Sequence, residues 1–307
     1  MKYIKFYDDI GVSEHDVFSN FIKNLKSSIK TWDYFVNWDK VNTNIDKIKI
    51  ELNILNSLIG SANIEEDFVS LAVKYPEIIK TFPVLLAVRD SSLEIIRDYH
   101  KGDLDYFIFD FNPKHSISEV EARKYFTFIS KSGLIDLFHD KKIKNFVDYV
   151  FGVEVGLDSN GRKNRGGTLM EQIVEVLVHN SVSKNTNLEF MPQATANKIK
   201  SKWGCLVHVE KSARSYDFAV FNKLTNKLFL IETNFYNGGG SKLKSVCGEF
   251  KTLQNELSPQ GIEMIWVTDG KGWLTTQRPL EETFNNNDYV LNLYLLKKGI
   301  LDEIFNE

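Results

Sequence analysis

Apolar residues at Ile45, Ile48, Leu52, Leu55 and Ile59 recur at spacings of three and four, so they share one face of a helix that Gly60 stops. Ser116 to Ile129 and Lys141 to Val150 repeat that period more weakly, and few stretches before Val150 alternate apolar and polar residues as a half-buried strand does. The pattern then changes. Thr168 to Val178 predicts a helix with Leu169, Ile173, Val174 and Leu177 on one face. Thr168-Leu169-Met170-Glu171 has the form of a capping box, which puts Glu171 in the first turn. Cys205 to Val209 and Tyr216 to Phe221 are rich in β-branched and aromatic residues and read as strands. A polar turn, Asn222 to Lys227, leads into Leu228-Phe229-Leu230-Ile231, a continuous apolar run that suits a strand buried on both faces. Leu243, Val246, Phe250, Leu253 and Leu257 return to helical spacing, and Met264 to Val267 is a further strand, stopped at Asp269-Gly270. The order helix, three strands, helix, strand predicts a mixed sheet flanked by helices. A boundary is expected near residue 150, between a mainly helical region 1–150 and an α/β region 151–307.

Composition narrows the class. With 307 residues, 43% hydrophobic and 26% charged, the chain matches an ordinary globular protein of one large or two smaller domains. Lys+Arg 38 against Asp+Glu 41 leaves a net charge of -3, so any polyanion must be met by locally concentrated cations. Cys205 and Cys247 cannot build a disulfide framework. The N-terminal residues reach Asp8 and Asp9 without an apolar signal region, and Phe82 to Val88 is far short of the roughly 20 residues a bilayer span needs. The expectation is a reduced, soluble, cytoplasmic protein with no membrane association.

The chemistry concentrates around two acids. Asp217 lies near the start of one strand and Glu232 near the end of the next, so pairing the strands across their turn brings both to one end of the sheet. A carboxylate within an apolar strand is costly unless paired or bound to metal, and two together suit a hard divalent cation such as Mg²⁺. A plainer alternative is that each acid caps its strand and pairs with a nearby lysine. Glu171 is a possible third acid, unless its only task is the helix cap. Gly161-Arg162-Lys163-Asn164-Arg165-Gly166-Gly167 reads as a glycine-flanked basic loop before a helix N-terminus, a candidate phosphate or base contact, though a solvated charged loop has the same composition. Lys198, Lys200, Lys202, Lys211 and Arg214, and Lys242 and Lys244 after glycines 238–240, add local positive charge. Gly156 to Gly161 has P-loop spacing without the Lys-Ser/Thr that should follow, and the C-x-x-H pair Cys205/His208 has no second half for zinc.

Asp217 with Glu232-Thr233-Asn234 resembles a variant PD-(D/E)XK nuclease motif, and the element order is that of a restriction-endonuclease-like core. The segments Val153 to Arg165, Ile231 to Tyr236, Gly238 to Leu243, Trp266 to Gly270 and Ile50 to Gly60 are similar to the DpnII/MboI-type restriction endonucleases, a likeness that covers most of the chain. The resemblance implies a homodimeric type II endonuclease cutting duplex DNA before the G of 5′-GATC-3′, blocked by adenine methylation, with a companion adenine methyltransferase. It implies Mg²⁺ held by Asp217, Glu232, Glu171 and Thr233. Catalytic roles fall on Asp217, Glu232, Asn234, Glu171 and Lys242, and DNA contacts on Arg162, Lys163, Asn164, Arg165 and Lys244. Asn234 stands where most such motifs carry lysine, so it would orient water rather than act as a base, and Lys242 either returns a cation to the site or touches the DNA backbone. Readings from other classes are a catalytically inactive sequence-specific DNA-binding protein and an interaction protein whose acids only cap strands.

Overall fold

The computed structural model describes residues 1–101, 103–139, 143–158, 161–209 and 214–307. Lys211 and the side chains of Lys163 and Asn164 lie outside the described residues. The chain divides into two compact units, Trp32–Arg162 and Met1–Thr31 with Lys163–Glu307, each around its own apolar core. Residue 150, where the sequence suggested a boundary, sits inside the helix Phe146–Leu157.

In the Trp32–Arg162 unit the periodic stretch from Ile45 to Ile59 is two helices, Trp38–Asp46 and Lys49–Leu55, because Ile48 leaves helical geometry at φ −133°. The apolar stripe survives the break: Val41, Ile45, Leu52 and Leu55 are all buried. Glu119–Lys131 begins at a capping box between Ser118 and Glu121, and Asn145 caps Phe146–Leu157. Phe68, Phe82, Phe111, Phe138 and Phe146 fill the core. The unit also holds a hairpin that the pattern did not suggest, β1 (Ser92–Asp98) paired antiparallel with β2 (Asp103–Asp110). Phe109 and the partly buried Leu93 face the core, while Ile96, Leu104, Tyr106 and Ile108 are exposed. With apolar residues on both faces, no two-residue alternation remains to be read.

The other unit is built on a five-stranded sheet in the order β3 (Leu188–Thr195), β4 (Ser215–Asn222), β5 (Lys227–Phe235), β6 (Ile262–Asp269) and β7 (Tyr289–Leu291). β3, β4 and β5 pair antiparallel, and β5, β6 and β7 parallel. The mixed sheet and the expected core order are therefore present: the helix Gly161–Val182, three strands, the helix Ser241–Leu257, then β6. The first strand is not Cys205 to Val209, which is irregular, but Leu188–Thr195, whose Pro192 and Gln193 obscure its alternation. Lys198, Lys200 and Lys202 ride on the helix Ala196–Trp203 that follows it. The helix Ser241–Leu257 packs on β6 through Phe250 stacked on Trp266, ring centroids 4.3 Å apart. The first thirty-one residues belong to this unit. Asn292 donates to the carbonyl of Phe21, and the backbone N–H of Lys26 donates to the fully buried Asp269, which also accepts from Gly270 and Leu293. Three backbone donors satisfy that carboxylate, so its place in the core is structural. Among the described residues, no helix is long and apolar enough to cross a membrane.

Candidate active site

The ladder between β4 and β5 is recorded from Asn222↔Lys227 to Phe218↔Ile231, and one further step sets Asp217 opposite Glu232. Opposed residues of an antiparallel pair point to the same face, so both acids lie on one face at one end of the sheet. There the ladder gives way to side-chain bonds. Oδ2 of Asp217 accepts both the backbone N–H of Thr233, at 2.7 Å, and its hydroxyl, at 2.9 Å. Oε1 of Glu232 accepts from Nε of Arg214 at 3.0 Å and forms an ion pair with Nη2 of the same guanidinium at 2.9 Å. Each carboxylate thus has one oxygen tied to the protein. Among the described residues, Oδ1 of Asp217 and Oε2 of Glu232 accept no hydrogen bond.

Burial dominates the electrostatics. It raises the Glu232 carboxyl to about 7, against the pull of Arg214 and with a further push from Asp217. It also raises Asp217, opposed by the two bonds from Thr233 and by Arg214. Glu171 is raised by burial, then by the negative charges of Asp217 and Glu175. Carboxylates so disfavoured as anions are ones that a cation would relieve. Among the described residues no three His, Cys, Asp or Glu side chains converge into a ready metal cage. Two open carboxylate oxygens nevertheless suit Mg²⁺, which commonly takes one or two protein carboxylates and keeps water or substrate phosphate for its other positions.

The other candidates resolve differently. Gly161 to Gly167 is not a loop: the helix Gly161–Val182 runs straight through it. Glu171 is therefore three turns into the helix and caps nothing, which removes the capping-box reading. Two interior glycines cost roughly 1 kcal/mol each in helix propensity, and the long apolar continuation through Met170, Val174 and Val178 offsets them by burial. Glu171 accepts from the side chain of Gln193, at 3.3 Å. Gln193 has φ +47° and has no partner in the otherwise continuous pairing of β3 with β4, opposite Asp217. This kink re-aims a side chain beside the acids, as strand irregularities near functional sites do. Arg162 donates through Nε to the carbonyl of Phe35, a protein contact within the helical unit. Lys242 and Lys244 are exposed in the first turn of Ser241–Leu257, unpaired with Asp217 or Glu232.

Asn234 lies on the same face of β5 as Glu232. Trp273 donates to the hydroxyl oxygen of Thr268 at 2.8 Å, and that hydroxyl donates to Oδ1 of Asn234. The relay commits the amide oxygen and leaves the NH₂ as the group Asn234 can offer a substrate or water. Just beyond, Gly270 at φ +106° lies so close to Tyr236 that a Cβ would sit 2.2 Å from its carbonyl oxygen. Tyr236 in turn donates to the Asp269 carbonyl and accepts from the Gly272 N–H. The segments after β5 and β6 are thereby locked together, which fixes the chain leading to Lys242. The sequence alone gave no role to Glu249, Gln193 or Thr268, and registered Arg214 only as one more cation. A single cation three residues before a strand acid was the available signal for Arg214.

A family model described as DpnII restriction endonuclease matches residues 17–303. The chain is 46% identical over 292 residues to the type II restriction enzyme MjaIII of Methanocaldococcus jannaschii, covering 94% of this chain and 99% of that protein. It is 36% identical over 292 residues to the type II restriction enzyme DpnII of Streptococcus pneumoniae, covering 94% and 98%. To the type II restriction enzyme MboI of Moraxella bovis it is 33% identical over 295 residues, covering 94% and 96%.

Proposed function

The chain belongs to the DpnII restriction endonuclease family, and from that premise we propose that it is a Mg²⁺-dependent type II enzyme hydrolysing duplex DNA before the G of unmethylated 5′-GATC-3′. The observation that carries the nuclease reading is the Asp217–Glu232 pair, two partly buried acids each tied by one oxygen and open at the other. The GATC site rests on the likeness to DpnII/MboI-type enzymes, which extends through both units.

Phosphodiester hydrolysis demands accelerations on the order of 10¹⁷ or more, and a lone general base supplies only about 10²–10⁴. The remainder must come from positioning and charge stabilisation. A bound divalent cation supplies Lewis-acid stabilisation of the charge on the reacting phosphoryl group and lowers the pKa of water. Asp217 and Glu232 would hold it through Oδ1 and Oε2, with Glu171 and the Thr233 main chain at its margin. The NH₂ of Asn234 donates to the attacking water and sets its orientation. Arg162, Lys163, Asn164, Arg165 and Lys244 contact DNA, and Lys242, exposed in the first turn of Ser241–Leu257, meets a backbone phosphate.

A palindromic site is most simply read by a two-fold dimer. The helical region serves DNA contact, dimerisation or both. The exposed Ile96, Leu104, Tyr106 and Ile108 of its hairpin favour a protein partner for that surface, since apolar side chains gain nothing from phosphates. A companion adenine methyltransferase would protect cytoplasmic host DNA, because an N6-methyl group crowds a major-groove hydrogen-bonding edge. Incubation with plasmid and Mg²⁺ tests the reading. Fragments matching the GATC map from unmethylated DNA, and none from adenine-methylated DNA, are expected. A gel shift without cutting would make the protein a binder, and equal digestion of both plasmids would remove the methylation claim.

A further inference from the structure

The acids at the sheet end share one fixed cation. Arg214, whose side chain is 16% exposed, grips Glu232 with Nε and Nη2, while its Nη1 donates to Oε1 of Glu249 at 2.9 Å. Its guanidinium also lies over the Tyr216 ring, 5.7 Å from the centroid. The hydrogen bond from Nε and the ion-pair contact from Nη2 both fall on the same oxygen, Oε1. An arginine can engage a carboxylate through both oxygens side by side, and here it does not. Glu249, 46% exposed on the helix Ser241–Leu257, holds the Nη1 end of the same guanidinium. No other fixed charge of this sign pairs with the acids among the described residues, and Asn234 is neutral.

We propose that Arg214 is a positioning residue of the nuclease site, held by Glu249 so that it fixes Glu232 through Oε1 and leaves Oε2 open. It acts through Glu232. This inference rests on the nuclease reading above and adds a second consequence: Arg214 and a divalent cation draw on the same carboxylate, so the arginine weakens cation binding while it improves the geometry of what is bound. Rate and cation affinity should then move in opposite directions when it is removed, a combination that damage to the fold does not produce.

The test compares wild type, Arg214→Ala, Arg214→Lys and Glu249→Gln in three measurements: calcium binding to the DNA-free protein by calorimetry, affinity for an unmethylated GATC duplex in calcium, and single-turnover cleavage in Mg²⁺. At a pH high enough to ionise Glu232 in both proteins, Arg214→Ala should bind calcium several-fold more tightly and hold the duplex within about threefold of wild type, yet cut at least a hundredfold more slowly. Arg214→Lys should recover only part of the rate, since an ammonium cannot grip both glutamates in fixed geometry. Glu249→Gln, a change at a half-exposed position, should keep the wild-type melting temperature and lose about five- to tenfold in rate. Cutting by Arg214→Ala within threefold of wild type overturns the proposal, as does calcium affinity falling together with rate. Should Arg214→Ala fail to fold, wild-type cutting by Glu249→Gln overturns it instead. If wild type cuts no duplex at all, the nuclease reading falls, and the calcium titration still decides whether Arg214 competes for Glu232.

Discussion

Replacing Glu232 by glutamine should make the metal-free protein more stable while destroying its activity. Glutamine keeps the shape of the protonated acid and removes the charge that burial penalises. The carboxyl titrates at about 7 in the fold against 4.5 for an ordinary glutamate, and its side chain is 14% exposed. At about 1.4 kcal/mol per pH unit, that separation is about 3 kcal/mol. An acid whose pKa rises on folding takes up a proton as the chain folds. Its stabilising contribution is therefore complete below pH 4.5 and lost as pH rises through 7. Wild type and Glu232→Gln should melt together near pH 4.5, provided the remaining groups titrate alike. By pH 8 the variant should melt higher by about 6–12 °C, at roughly 2–4 °C per kcal/mol for a unit of this size. Thermal melts in chelator from pH 4.5 to 8.5 measure this directly. Adding Mg²⁺ at pH 8 should raise wild type more than the variant and close part of the gap. A variant that melts below wild type at pH 8 would refute the reasoning, because the ion pair with Arg214 would then outweigh the cost of burial.

Triple replacement of Arg162, Lys163 and Arg165 by alanine should weaken duplex binding and flatten its salt dependence by about 0.9 in log–log slope per lost phosphate contact; an unchanged slope would return this helical turn to a purely structural role, in which Arg162 only holds the Phe35 carbonyl. Asn234→Ala should lower the single-turnover rate without lowering DNA affinity, whereas Lys242→Ala should lower affinity first, and wild-type rates in both would remove each from the chemistry. Gly270→Ala should be destabilising by several kcal/mol, because its Cβ would meet the Tyr236 carbonyl at 2.2 Å in a left-handed backbone, and a melting temperature equal to wild type would show that the two segments can part.

The sheet was legible where burial was two-sided and continuous. Leu228 to Ile231 and Met264 to Val267 announced central strands because nothing polar interrupts them, and β5 and β6 are the central parallel pair. The acids were legible for the converse reason: Asp217 and Glu232 are conspicuous charges at strand ends. The first strand was misplaced because Pro192 and the kink at Gln193 break its alternation, while Cys205 to Val209 has strand composition without a partner strand. Glycines misled in Gly161 to Gly167, where packing further along the helix overrides a weak local propensity. Tertiary arrangement decides what local pattern cannot express. No local signal links Lys26 to Asp269, 243 residues apart, nor Arg214 to Glu249 across two strands.

The most direct measurement of the central claim is single-turnover cleavage and equilibrium binding of an unmethylated GATC duplex by Asp217→Ala. Asp217 contributes one of the two open oxygens, and its loss also removes a negative charge from the neighbourhood of DNA phosphate. The variant should bind the duplex as tightly as wild type or somewhat more tightly, prefer GATC over unrelated sequence, and leave the strands uncut in Mg²⁺. Cleavage by Asp217→Ala at a rate near wild type would contradict the account, since the pair of acids at the sheet end could then not be the site of chemistry.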